Sequence, residues 1–291
     1  MIANPTAGRS VRAKVQQAAA ILREAAWPVE LHWTQQRGSA LQLARQAVEA
    51  QAEAAIAVGG DGTVNEVLNG LIGSTLHLGV IPLGTANCFA HESGIPVNPA
   101  KAARMLLESR PRRIHLGKAG ETYFLLMASV GFDAEVVDRL SSTLKQRLGK
   151  LAYILTALRL FFQYRPPRLR LVVDGQEQLE GYGVVIGNTR YYGGRFQITP
   201  QAGYDKEELD VCLFQSPGVR ALMRYAWGIL NGSRHLKYKD VVYRKTKRVS
   251  VESLSSAAPV QIDGDPLGRT PMQFEMVPNA LSVLLPQRAD S

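Results

Sequence analysis

Three short stretches in the first ninety residues set glycine and small polar groups between an apolar run and a helical pattern: Asn4 to Ser10, Gly59 to Thr63 and Pro82 to Asn87. In a parallel sheet such loops gather at the carboxyl ends of the strands. Glycines there let a ligand approach the backbone, and the free N–H groups that open a helix favour an anion. Gly-Asp-Gly alone is also an ordinary turn; three loops on one edge favour a phosphate site. Asp61 stands among these amides, where a carboxylate is unfavourable unless a cation bridges it to the phosphates. Magnesium suits that place, since it takes one or two carboxylates plus phosphate oxygens and water. The alternative is a turn-forming Asp bonded to its own backbone. Thr63-Val64-Asn65-Glu66 reads as a capping box, with Thr63 as the cap and Glu66 reaching back to it.

Alternating elements must position these loops. Ser10–Ala26 and Ser39–Ala54 are Ala-rich and helical, Val29–Thr34 alternates like a strand, and Ala54–Val58 and Leu76–Pro82 are apolar runs ending in glycine loops. A helix is expected from Thr63 to about Leu71. Strands alternating with helices imply βαβ units and a parallel sheet. After about residue 112 strand patterns dominate: Thr122–Ala128, Leu169–Val173, Gly181–Gly187, Leu209–Phe214, Arg248–Val251 and Leu281–Leu285. Helical islands interrupt them at Ser141–Tyr164 and Val219–Leu230. The expected architecture is an α/β domain over residues 1–112 and a mostly antiparallel, β-sandwich-like domain over 113–283, with the tail 284–291 returning to the first.

The 291 residues carry 46% hydrophobic and 20% charged side chains, which excludes global disorder. The net charge of +9 suits nucleic acid, an anionic membrane or a phosphorylated substrate. Most of that excess lies beyond residue 133. Cys88 and Cys212 make no disulfide framework, and five scattered histidines have no metal-ligand spacing. No signal peptide, spanning segment, G-x-S-x-G elbow or Walker loop is read, so a cytoplasmic protein is expected. Arg139–Arg170 holds eight basic residues and no acidic one, interleaved with Leu, Ile, Tyr and Phe; either it lies on an anionic membrane or it packs its apolar face inward. Arg234–Arg248 holds seven basic residues against Asp240, and reads as a solvated loop. No nucleic-acid motif accompanies this charge, so no nucleic-acid partner is expected.

Gly59-Gly60-Asp61-Gly62-Thr63 followed by Asn65-Glu66-Val67 resembles the signature of the diacylglycerol kinase catalytic-domain family. Further stations fall in the family order: Asn4-Pro5 with Gly8, Pro82-Leu83-Gly84-Thr85-Ala86-Asn87, Val130-Gly131-Phe132-Asp133, Tyr192-Gly193-Gly194 with Pro200 and Ala202, and Asp263-Gly264-Asp265-Pro266. Gly59-Gly60-Asp61-Gly62-Thr63 alone is shared with NAD kinases; the ordered set is more specific.

The resemblance implies ATP bound between the two domains, on Asn4, Thr34, Gly60, Asp61, Gly62, Thr63, Val64, Asn65, Glu66, Gly84, Thr85 and Asn87. It implies Asp61 and Asp265 as catalytic residues, Asp61 acting toward nucleotide magnesium and Asp265, where the family has Glu, as general base toward a lipid hydroxyl. Several positions depart from the pattern. Met1 stands three positions before Asn4, so the first strand is either truncated or begun upstream. Cys88 follows Asn87 where the family has Asp. Lys206 interrupts an auxiliary magnesium site expected near Asp205, Leu209 and Asp210, which should weaken or abolish it. The expected function is an ATP- and Mg2+-dependent lipid kinase, possessing an anionic membrane surface as partner and peripheral on the inner membrane face. The rivals are a non-catalytic nucleotide- or lipid-sensing protein and an NAD kinase.

Overall fold

A computed structural model describes residues 1–5, 9–139, 156, 160, 164–194 and 196–287. Gly8, most of the helical island expected at Ser141–Tyr164 and most of the basic stretch Arg139–Arg170 lie outside the described residues. The described chain divides into two compact units, residues 1–115 with 278–291, and residues 116–277. No helix among the described residues is long and apolar enough to cross a membrane.

The first unit alternates strands and helices: β1 (Ile2–Ala3), α1 (Arg9–Glu24), β2 (His32–Trp33), α2 (Ser39–Glu49), β3 (Ala54–Gly59), α3 (Asp61–Leu71), β4 (His77–Pro82), α4 (Cys88–Ser93) and α5 (Pro99–Glu108). Helix α1 buries Val11, Val15, Ala18, Ala19 and Leu22, the stripe of a one-sided helix. Removing a Val or Leu side chain of this kind from water contributes about 1.5–3 kcal/mol. Strands β3 and β4 are buried along nearly their whole length, as parallel strands covered on both faces must be. Helix α5 starts where its sequence says it should. Asn98 accepts the Lys101 N–H at 3.1 Å and Pro99 follows in the first turn.

Pairing along β2-β1-β3-β4 is parallel, and so is that of Ser282 and Val283 of the last strand with His77 and Leu78. The chain leaves β1 toward β2 and returns on the other side as β3. The strand order therefore reverses between β1 and β3, the place where open α/β sheets bind ligands beyond their carboxyl ends.

The second unit is an antiparallel sandwich. It contains β5 (Arg110–Ala119, entering from the first unit), β6 (Thr122–Phe124), β7 (Met127–Val130), α6 (Phe132–Arg139), β8 (Leu169–Val173), β9 (Glu177–Gly181), β10 (Gly183–Gly187), β11 (Tyr191–Tyr192), β12 (Phe196–Gln197) and β13 (Leu209–Phe214). There follow α7 (Val219–Leu230), β14 (Val241–Thr246), β15 (Arg248–Ser253), β16 (Pro259–Ile262), β17 (Asp265–Arg269) and β18 (Met272–Leu285), the last strand named above. One layer runs β14-β13-β10-β7-β16-β17; β15 joins β18 and β8, and β8 joins β9, in the other. Alternate residues of both layers make the core: Ala128, Val130, Val184, Ile186, Leu209, Val211 and Leu213 from one, Leu169, Leu171, Val249, Val251 and Phe274 from the other. That two-residue period is the expected mark of a sheet with one buried face.

An N-terminal α/β unit with a parallel sheet and a β-sandwich-like second unit thus match the architecture read from the sequence. Local differences have local causes. The strand expected at Val29–Thr34 pairs only at His32–Trp33. Arg110-Pro111-Arg112 looks like a break because of its proline and charge, yet it opens strand β5, whose Ile114–Leu116 are buried.

Candidate functional site

Asn4, just after β1, and the loops beyond β3 and β4 meet at the reversal in strand order. The backbone of Asn4 donates to the Val58 carbonyl at 3.0 Å, and its amide side chain reaches Thr63 Oγ1 at 3.4 Å. Thr34, buried at the end of β2, donates its N–H to Ala3 at 2.9 Å. Gly60 is the N-cap of α3, in extended backbone and with no side-chain capping bond, so the first-turn amides of Gly62 and Thr63 face outward from the helix start. The loop after β4 packs directly on this turn: a Cβ on Gly84 would fall 2.4 Å from the Gly60 Cα. Only two glycines allow that backbone contact. Asn87, at φ 48°, locks the second loop by accepting the Gly84 N–H and donating to the Gly84 carbonyl, both at 2.9 Å. Thr85 stands exposed between them.

The capping-box reading changes here. Helix α3 begins at Asp61 rather than Thr63, so no Thr63–Glu66 capping box forms. Glu66 instead accepts the N–H groups of Gly38 at 2.9 Å and Ala40 at 3.1 Å, fastening the start of α2. Val64 presents no polar group to a ligand, because its side chain is buried and its N–H is given to the Gly60 carbonyl at 3.1 Å. Asn65 accepts from the Asn69 side chain at 3.1 Å, a contact along its own helix. Asp61 needs no bridging cation to sit among amides: its two oxygens take the N–H groups of Cys88 at 3.0 Å and Phe89 at 3.2 Å, capping α4. Burial raises its pKa, and those two amides act against the rise.

In the second unit, Asp265 begins β17 directly after a two-residue hairpin turn made by Asp263 (φ 48°) and Gly264 (φ 84°). Asp-Gly is the preferred pair for a turn with two positive φ values. The Asp263 carboxylate accepts three successive amides, Leu125 at 2.8 Å and Leu126 and Met127 at 2.9 Å each, so the turn carrying Asp265 is pinned to the start of β7. Next to it lies a polar cluster. Asp133 accepts from Tyr192, from Ser129 at 2.7 Å and from Gln261 at 2.9 Å, while Gln261 accepts the Gly264 N–H at 2.8 Å.

That cluster forms one wall of an apolar cavity of about 530 Å³. Ser129, Asp133 and Tyr192 line it together with Phe132, Tyr164, Val185, Phe214, Leu222 and Ile229. The sequence quoted Asp133 and Tyr192 only as motif stations and missed the cavity, whose walls come from β7, β10, β13 and α7. Close strand approach was the available signal: a Cβ on Gly131, at φ 129°, would fall 2.9 Å from the Gly183 Cα. The auxiliary metal position fares differently. Asp210 is buried and accepts the Tyr243 hydroxyl at 2.6 Å, Asp205 is exposed, and the Lys206 ammonium donates to the Gln201 carbonyl. A tyrosine and an ammonium in those places compete with a divalent cation.

An α/β unit with glycine loops at its strand-order reversal, joined to an antiparallel sandwich, is the architecture of a two-unit kinase fold. The family model for the diacylglycerol kinase catalytic domain matches residues 1–119, and that for the YegS C-terminal NAD kinase beta sandwich-like domain matches residues 127–285. The chain belongs to the diacylglycerol kinase catalytic-domain family. It is 31% identical over 294 residues to a protein of Bacillus subtilis (strain 168) named diacylglycerol kinase, covering 99% of this chain and 96% of that one. It is 32% identical over 280 residues to a "Probable lipid kinase YegS-like" of Chromohalobacter salexigens, covering 94% and 89%. The crystal structure of a diacylglycerol kinase from Bacillus anthracis str. Sterne superimposes with a TM-score of 0.80 at 27% identity, over 100% of this chain and 97% of that one. An NAD kinase from Archaeoglobus fulgidus in complex with ATP shares the fold, with a TM-score of 0.55 at 13% identity over 99% and 93%.

Proposed function

We propose that this chain is an ATP-dependent lipid kinase, peripheral to the cytoplasmic membrane face and acting in phospholipid metabolism. ATP phosphates take the open amides of Gly62 and Thr63, with Asn4, Thr34, Gly60, Gly84, Thr85 and Asn87 shaping the loops around them. Asp61 acts by holding the α4 loop in register. A magnesium ion, bound mainly through phosphate oxygens and water, supplies charge neutralisation when present. The acceptor places its chain in the cavity of the second unit.

In the transfer, the acceptor hydroxyl oxygen bonds to the γ-phosphorus as the bridging oxygen leaves with ADP. Asp265 accepts the hydroxyl proton. Its carboxylate is one methylene shorter than the family's Glu, and the pinned Asp263-Gly264 turn fixes where that shorter arm reaches.

The observation that carries the lipid reading is the cavity, apolar except at Ser129, Asp133, Tyr192 and neighbouring hydroxyls. The test is labelled-phosphate transfer from ATP with magnesium to diacylglycerol, sphingoid base, phosphatidylglycerol and, separately, NAD. Transfer to a lipid is expected. Transfer to NAD alone, or ATP binding without transfer to any acceptor, overturns the reading in favour of an NAD kinase or a sensor.

A further inference from the structure

Helix α7 exposes large apolar side chains that a soluble surface has no use for. Met223 is 50% exposed, Trp227 63% and Leu230 59%. Their spacing of four and three residues puts them on one face. The opposite face is anchored by Ala221, Tyr225 and Gly228. Gly228 lets the following turn come close, since a Cβ there would fall 2.6 Å from the His235 nitrogen. Between those two faces, Leu222 and Ile229 line the apolar cavity. Leu230 lines the cavity and is also exposed, as is Phe196 at 45%. The exposed apolar face is therefore the rim of the cavity.

Charge on this segment is one-sided. From Val219 to Lys239 there are five basic residues, Arg220, Arg224, Arg234, Lys237 and Lys239, and no acidic one. Arg224 is held by Asp240; Arg220, one turn before the exposed face, and Arg234, Lys237 and Lys239, on the segment after the helix, are exposed cations. An apolar face with Arg220 beside it, on a segment that carries basic and no acidic residues, is complementary to a bilayer carrying anionic headgroups.

We propose that α7 is a membrane-docking helix: an anionic bilayer takes up Met223, Trp227, Leu230 and Phe196, and the cavity rim thereby opens into the acyl layer. The acceptor then passes between bilayer and cavity without crossing water. This rests on the lipid-kinase reading for what enters the cavity, but docking itself needs neither ATP nor turnover.

The test is co-sedimentation with phosphatidylcholine vesicles with and without phosphatidylglycerol, in the absence of ATP, with brominated lipid chains to quench tryptophan. Wild-type protein is expected to bind the anionic vesicles and to be quenched, and Trp227→Phe to bind but lose most of that quenching. Met223→Ser/Trp227→Ser, neither of which lines the cavity, is expected to weaken binding at least about tenfold. Arg220→Ala should weaken it about fivefold. Unchanged melting midpoints confirm that the variants fold. Failure of wild type to bind, or equal binding by the double variant, overturns the proposal. So does self-association that the double variant abolishes while vesicles are ignored, because the face would then belong to a second copy. A kinase-negative protein that still docks separates this result from failure of the lipid-kinase reading.

Discussion

The carboxylate of Asp61 stands 3.0 Å from the backbone nitrogen of Cys88, joining the turn after β3 to the helix after β4. With the Phe89 amide on its other oxygen, it supplies the negative group that a helix start favours. The bond uses the Cys88 backbone, so a cysteine serves as well there as an aspartate. Asp61→Asn turns an NH2 toward one of the two amides. It should lose about 1–3 kcal/mol of stability, read as a lower melting midpoint, and weaken ATP binding by loosening the Gly84 loop. Cys88→Ser should leave both near wild type. An Asp61→Asn protein that keeps its midpoint and its ATP affinity removes the capping role.

Gly84 and Gly60 touch backbone to backbone, and backbone cannot swing aside as a side chain can. Gly84→Ala, with its Cβ 2.4 Å from the Gly60 Cα, is expected to separate the two loops and abolish nucleotide binding in a titration. Gly268→Ala is the control, because nothing lies within 4 Å of its Cβ position. Equal ATP affinity in Gly84→Ala would show that loop contact is irrelevant to the nucleotide.

Asp263 and Asp265 sit two residues apart yet should fail differently. Asp263→Ala leaves three amides without their carboxylate, at about 1–3 kcal/mol for each buried group left unpaired, so the midpoint falls first. Asp265→Asn should hold its midpoint while turnover falls roughly 10²–10⁴-fold, the usual worth of a positioned base. Asp265→Glu should restore part of that turnover. Stability loss in Asp265→Asn, or unchanged turnover, contradicts the assignment.

The legible and illegible parts of the molecule divide along physical lines. Periodicity and glycine placement gave α7 to the residue, α1 within two residues and α3 except for its first two, and Leu169–Val173 and Leu209–Phe214 as strands, because each pattern is local. Asp263-Gly264 announced its own hairpin. The partners of Glu66 and Asp61 were not legible: they lie 26 to 28 residues away, and only the parallel sheet brings them near. Local reading therefore gave Glu66 to a capping box and showed nothing of the two amides that Asp61 accepts. The cavity was hidden for the same reason, since Val185, Phe214 and Ile229 look like core until the fold leaves space between them.

His235 offers a check on the base of α7 through pH. It is fully buried and packed against Gly228, with Nε2 3.0 Å from the Ile198 carbonyl and its ring centre 6.2 Å from that of Phe214. Burial lowers its pKa below the ordinary value of 6.5, so the folded protein keeps it neutral where the unfolded chain takes a proton. The unfolded state then binds more protons below about pH 6.5, and stability must rise with pH through that window. Read downward, stability is unchanged by this group above about pH 6.5 and falls below it, by at most about 1.4 kcal/mol per pH unit, until the folded pKa is reached. His235→Gln keeps a side-chain donor for Ile198 but cannot titrate. Subtracting its melting midpoints from those of wild type between neutral and mildly acid pH should isolate a loss confined to acid pH. Parallel curves across that range would mean the folded protein protonates His235 as readily as the unfolded chain does, and that α7 gains no pH sensitivity from its anchor.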